Sequence, residues 1–162
     1  MKFLFSILAL LLTVKECDQK KSTEETSKTE LVNNNETGRM QQEECTIEYT
    51  AMSRGFYKEI RVNSSTIAIK NTRGSEAVSH ACSEELWGEI MAKLESLDVK
   101  NISKLEAPTQ KRFADGAAIG KLRIIYKDTT YQSSEFDHGY PPEEIKFLCD
   151  KIVEISSNKK KE

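Results

Sequence analysis

The sequence predicts an α+β domain: a single antiparallel sheet of about five strands with two helices packed on one face, in the order βββα, long loop, ββα. Two patterns carry this prediction. Apolar and polar residues alternate with a period of two over residues 47–69 and again over 122–134, while residues 83–97 and 143–153 repeat their apolar positions at helical spacing. The early strands are joined by short runs of turn-forming residues, so consecutive strands return antiparallel.

The chain has 162 residues, 31% of them charged, which is room for one globular domain plus flanking segments. Residues 1–17 read as a targeting segment. Lys2 supplies a basic start, and Phe3 to Val14 form an apolar run shorter than the ~20 residues that cross a bilayer. Residues 18–44 are polar. Only Leu31, Val32 and Met40 offer apolar surface there, too little to offset the entropy of ordering, so the stretch reads as a disordered tether. The globular domain is expected over 45–157, with 158–162 as a frayed basic tail.

Within the domain, Ile47, Tyr49 and Ala51 alternate with Thr46, Glu48 and Thr50 in the first strand. After a turn at Ser53-Arg54-Gly55, Phe56, Ile60 and Val62 take one face, and Tyr57, Glu59 and Arg61 take the other. Lys58 breaks the pattern. Asn63-Ser64-Ser65 turns the chain into a third strand, Thr66 to Lys70, with Ile67 and Ile69 inward. Residues 71–81 read as a loop. Ser83 is placed to cap a helix whose first turn carries Glu84 and Glu85, and whose apolar stripe is Trp87, Ile90, Met91 and Leu94, ending near Leu97.

Residues 98–119 show no regular period and are expected to be an ordered loop pinned by Leu105, Ala107-Pro108 and Phe113. Connections of this length are frequently functional, which makes Arg112 and Asp115 candidate contact residues. Leu122, Ile124 and Tyr126 then mark a strand, and Thr130 to Ser134 a polar edge strand. The turn Glu135 to Tyr140, containing Asp137 and His138, leads to Pro141-Pro142. These prolines and Glu143-Glu144 open a helix whose apolar face is Ile145, Leu148, Cys149, Ile152 and Val153.

A net charge of −2, with bases and acids interspersed, provides no basic face for nucleic acid. There is no glycine-rich phosphate loop, no Gly-x-Ser-x-Gly elbow and no His-Glu-x-x-His pair. The two histidines and the dispersed cysteines lack metal-ligand spacing, so no metal or cofactor is expected. Cys82, two residues after His80, and His138, beside Asp137, are the fragments an enzyme would use. A disulfide or buried thiol and a turn histidine explain them more simply, so no catalytic residue is assigned. If Cys17 is modified, Cys45, Cys82 and Cys149 allow one disulfide and one free thiol. Cys82 with Cys149 is the favoured pair, and unpaired core cysteines are the alternative.

Two resemblances add to this reading. The apolar run ending at Lys15-Glu16-Cys17 resembles a bacterial lipoprotein signal, which implies that Cys17 becomes a lipidated first residue in the cell envelope, in the periplasm or at the outer membrane. Glu16 and Val14 stand where such signals usually carry a small residue and leucine. The hairpin with Gly55-Phe56, the Ser83 to Leu86 helix start, Asp115-Gly116 and the Pro141-initiated helix together resemble exported lipoprotein domains of Bacteroidetes-type bacteria and, more distantly, emfourin-type inhibitors of metalloproteases. The expected function is therefore a non-catalytic, membrane-tethered domain that binds a protein partner. Arg112, Asp115, Asp137 and His138 are its exposed candidate contacts. A proteinaceous protease inhibitor is the alternative, and an enzyme using Cys82 or His138 a second alternative.

Overall fold

β1, Cys45–Met52, is the central strand, and its alternation decides the two faces of the sheet. It pairs antiparallel with β2 (Tyr57–Val62) on one side and with β5 (Ile119–Tyr126) on the other. β3 (Thr66–Lys70) and β4 (Val78–Ala81) extend the sheet beyond β2, and β6 (Thr129–Gln132) extends it beyond β5. The short strand β7 (Phe136–Asp137) pairs with the start of β5, in line with β6. The computed structural model describes residues 44–114 and 116–158. The expected leader, the tether up to residue 43, Cys17, Asp115 and residues 159–162 lie outside the described residues.

The chain is α+β with one antiparallel sheet, of seven strands rather than about five. β4 falls where the sequence reads as a loop, because Val78-Ser79-His80-Ala81 has no apolar alternation. Its backbone bonding to β3 makes it a strand, and that ladder runs on into Cys82 N–H donating to the Ser65 carbonyl at 3.0 Å. β7, two residues long, is too short to show a period.

Among the described residues three α-helices flank the sheet: α1 (Glu84–Glu95), the four-residue α2 (Lys111–Ala114) and α3 (Glu143–Asn158). A 3-10 segment, Val99–Lys104, gives part of the 98–119 connection a regular structure that its sequence does not announce. Ser83 caps α1 as expected, its hydroxyl accepting from Leu86 N–H. The helix stops at Glu95, short of Leu97, where Ser96 N–H turns back to the carbonyls of Lys93 and Leu94.

One core joins the elements. Ile47, Tyr49, Ile60, Val62, Ile67, Leu122 and Ile124 from the sheet meet Trp87, Ile90, Met91 and Leu94 of α1 and Ile145, Leu148 and Ile152 of α3. Lys58, on this same face, extends its amine to Ser156 Oγ of α3 at 3.1 Å, which accounts for the break in the β2 pattern. The opposite face of the sheet is ionic. Glu48, with a side chain only 4% exposed, stands between its cross-strand neighbours Arg61 and Arg123, each at 2.8 Å. Glu59 pairs with Arg61 at 3.2 Å and Lys70 at 3.5 Å and accepts from Tyr57 Oη.

Cys45, Cys82 and Cys149 are free thiols, and the expected Cys82–Cys149 bond is not formed. Cys149 is buried in α3 beside Tyr49, whereas Cys82 directs its sulfur toward its neighbour's carbonyl at Ser83. The free thiols fit the alternative of unpaired cysteines.

Gly120 governs how β7 closes onto β5. A Cβ built there would lie 2.5 Å from Cε2 and 2.9 Å from Cδ2 of Phe136, whose ring is wholly buried. We therefore expect Gly120→Ala to force the ring out of its seat and to cost about 1–3 kcal/mol, read as a lowered denaturant midpoint with an unchanged slope.

Candidate interaction site

Asp137 is the first residue to place, because everything around it is held by its carboxylate. The side chain is fully buried and sits against the start of α2. Its Oδ2 accepts from the Thr109 hydroxyl and from Lys111 N–H at 2.7 Å, and its Oδ1 accepts from Arg112 N–H at 2.9 Å. The Arg112 guanidinium adds an ion pair at 3.2 Å while also donating to the Thr109 carbonyl at 2.8 Å. Free N–H groups at a helix start and an arginine are what a carboxylate without water requires. Burial pushes the Asp137 carboxyl upward, but the donors from Thr109, Arg112 and Lys111 outweigh it and bring the group down to about 2.

Next along the chain, His138 and Gly139 form the turn between β7 and α3. Gly139 takes a positive φ of 85°, open to glycine, and lets Tyr140 N–H bond back to the Asp137 carbonyl at 2.8 Å. His138 Nδ1 lies 2.7 Å from the hydroxyl of Tyr49, the buried side chain of central β1. Burial, and then the positive charge of Lys58, hold the imidazole below its ordinary value. The Phe56 ring centre stands 5.2 Å from that of His138. Below the turn, Tyr49, His138, Gly139, Pro141, Cys149 and Val153 line a cleft of about 230 Å³.

These anchors leave several large side chains in solvent. Phe113 is 74% exposed and Tyr140 50% exposed, with Phe56 and Met52 also exposed. Lys111 Nζ lies 4.7 Å from the centre of the Tyr140 ring, and the Arg112 guanidinium lies 4.4 Å from that of Phe113. Phe56 thus packs on His138, while Tyr140 and Phe113 each stack against a base of the α2 start, Lys111 and Arg112.

The structure brings together three of the expected contact residues, Arg112, Asp137 and His138, and corrects their role. Asp137 is buried, the Arg112 side chain is 9% exposed and His138 is half-buried. They are supports rather than exposed contacts, because a carboxylate in solvent would not gather the donors that fix α2. Phe113 is corrected in the opposite sense: it does not pin the loop but projects from it. The exposed pair Phe113 and Tyr140 was legible only in that neither belongs to any apolar period.

The chemistry available here is limited. Burial raises the Cys82 thiol, and burial first and the nearby Asp150 second raise Cys149, so neither supplies thiolate near neutral pH. The nitrogen of His138 that faces the protein is occupied by Tyr49. Among the described residues no cluster of three or more His, Cys, Asp or Glu side chains is placed to hold a metal ion. No helix of the described residues is long and apolar enough to cross a membrane. Searches of family models, curated proteins and solved structures find no match to this chain.

The depressed Asp137 value sets a pH dependence. Its carboxyl binds a proton less readily folded than unfolded, where it titrates near 3.8, so its contribution is complete above that value and is lost as pH falls toward about 2. We expect Asp137→Asn to lose about 2–3 kcal/mol at pH 7 through the missing charged hydrogen bonds. In acid titrations of unfolding, the gap between variant and wild type closes between these two pH values.

Proposed function

We propose that this protein is a non-catalytic, membrane-tethered domain of the cell envelope that binds a protein partner through the Phe56–Phe113–Tyr140 end of its sheet. The observation that carries the reading is the contrast between exposed aromatics and the buried polar anchors that hold their backbone. Phe113 and Tyr140 stand in solvent next to Arg112 and Lys111, on backbone fixed by Asp137. Aromatic side chains with an arginine beside them are the composition of interface hot spots, and rigid presentation lowers the entropy lost on docking. The raised thiols and the engaged imidazole favour binding over catalysis.

The tether follows from the sequence: a short apolar leader, a cysteine at position 17 and a polar arm. Metabolic labelling with palmitate is expected to mark the wild-type chain and to be lost in Cys17→Ser; equal labelling of the two chains removes the lipid anchor from this proposal.

For the binding surface, a photo-crosslinking residue at position 113 is expected to yield a discrete adduct in intact cells, and one at position 61 on the ionic face is not. The double variant Phe113→Ser/Tyr140→Ser should weaken that partner by about 30-fold or more while leaving the unfolding midpoint unchanged, since neither ring is buried. Equal adducts at both positions, or full binding by the double variant, would count against this surface.

A further inference from the structure

The two edges of the sheet are finished differently. At one end β6 is flanked by the 3-10 segment Val99–Lys104, and Ser134, just past β6, donates its hydroxyl to the Leu105 carbonyl. At the other end, among the described residues, β4 has no strand beyond it. Val78, Ser79 and Ala81 are exposed, Val78 to 61%. The strand holds no lysine, glutamate or proline, the residues that normally blunt an open edge.

The hydrogen-bond phase of β4 shows which groups it offers. Cys82 N–H donates to the Ser65 carbonyl, so Cys82 and Ser65 form a hydrogen-bonded pair of the β3–β4 ladder. Such pairs recur every second residue in an antiparallel ladder. With Ile67 opposite His80 and Ile69 opposite Val78, His80 and Val78 bond inward to β3. The N–H and C=O groups of Ser79 and Ala81 therefore point away from the sheet.

We propose that β4 is a self-pairing edge: two copies of this chain join their sheets antiparallel, β4 to β4, about a two-fold axis through His80. The outward residues are two apart, which is the repeat of hydrogen-bonded pairs. About this axis Ser79 meets Ala81 of the second copy, Ala81 meets the second copy's Ser79, and all outward groups of the strand are satisfied. Each His80 faces the other across the axis, on the helix-bearing side of the sheet. The occupant is a second copy because the strand complements itself in register and places no charge of β4 against another. Four residues bury far less than the ~1,200 Å² of a stable interface, so the dimer is weak in dilute solution and gains where chains share one surface. This edge is separate from the aromatic surface, so each proposal stands or fails alone.

Sedimentation of the purified full chain over rising concentration tests it. The wild type is expected to pass from monomer to dimer, and Ser79→Pro to weaken the association at least tenfold. That proline removes an outward donor while sparing the bonds to β3, so the unfolding midpoint stays near that of the wild type. Should Ser79→Pro fail to fold, His80→Lys decides instead: it leaves the backbone intact and sets two like charges across the axis, and is expected to keep the chain monomeric. Oxidised His80→Cys is expected to form a covalent dimer that wild type does not. A wild type that stays monomeric throughout, or a dimer indifferent to Ser79→Pro and His80→Lys, overturns the proposal and leaves β4 to solvent or to another protein's strand.

Discussion

The carboxylate of Asp137 organises the end of the molecule where its large side chains reach solvent. It is a charge without water, and it is tolerable only because a helix start and an arginine are turned toward it. The converse also holds. α2 is four residues long, too short to form by itself, and its first two N–H groups, of Lys111 and Arg112, both donate to this carboxylate. Helix and strand therefore specify each other, and the projection of Phe113 and Tyr140 is a by-product of that mutual requirement.

Central β1 shows how one strand serves two environments. Glu48 and Tyr49 are neighbours in the chain but point to opposite faces. Glu48 neutralises two arginines on the open face, while Tyr49 crosses the core side to the His138 turn. Among the described residues the open face is covered by its own counter-charges rather than by a third layer, as befits an antiparallel sheet with helices on the other side. Because the acids and bases there are already matched, that face offers an outside charge little to gain.

The parts of the fold that the sequence announces are those with local, periodic causes. The α1 stripe of Trp87, Ile90, Met91 and Leu94 and the face of α3 follow from helical spacing, and Ser83 from the chemistry of a cap. What it conceals depends on distance along the chain. Asp137 finds its donors 25 to 28 residues away, and Tyr49 meets His138 across 89. No pattern within a short window can announce such pairs. β4 was hidden for a different reason, since its identity lies in backbone bonds to β3 and its side chains are those of a loop.

The position of β1 has a kinetic consequence. The strand that comes first along the domain lies in the middle of the sheet, and one of its two partners, β5, arrives only after Met52 has waited for Ile119. Closing so long a loop is slow compared with forming hairpins, and the sheet cannot be completed until most of the chain is present. A chain delivered N-terminus first would keep one edge of its central strand open until β5 follows. Such a delay leaves β1 to β4 as a partial meander while the later residues are still being made.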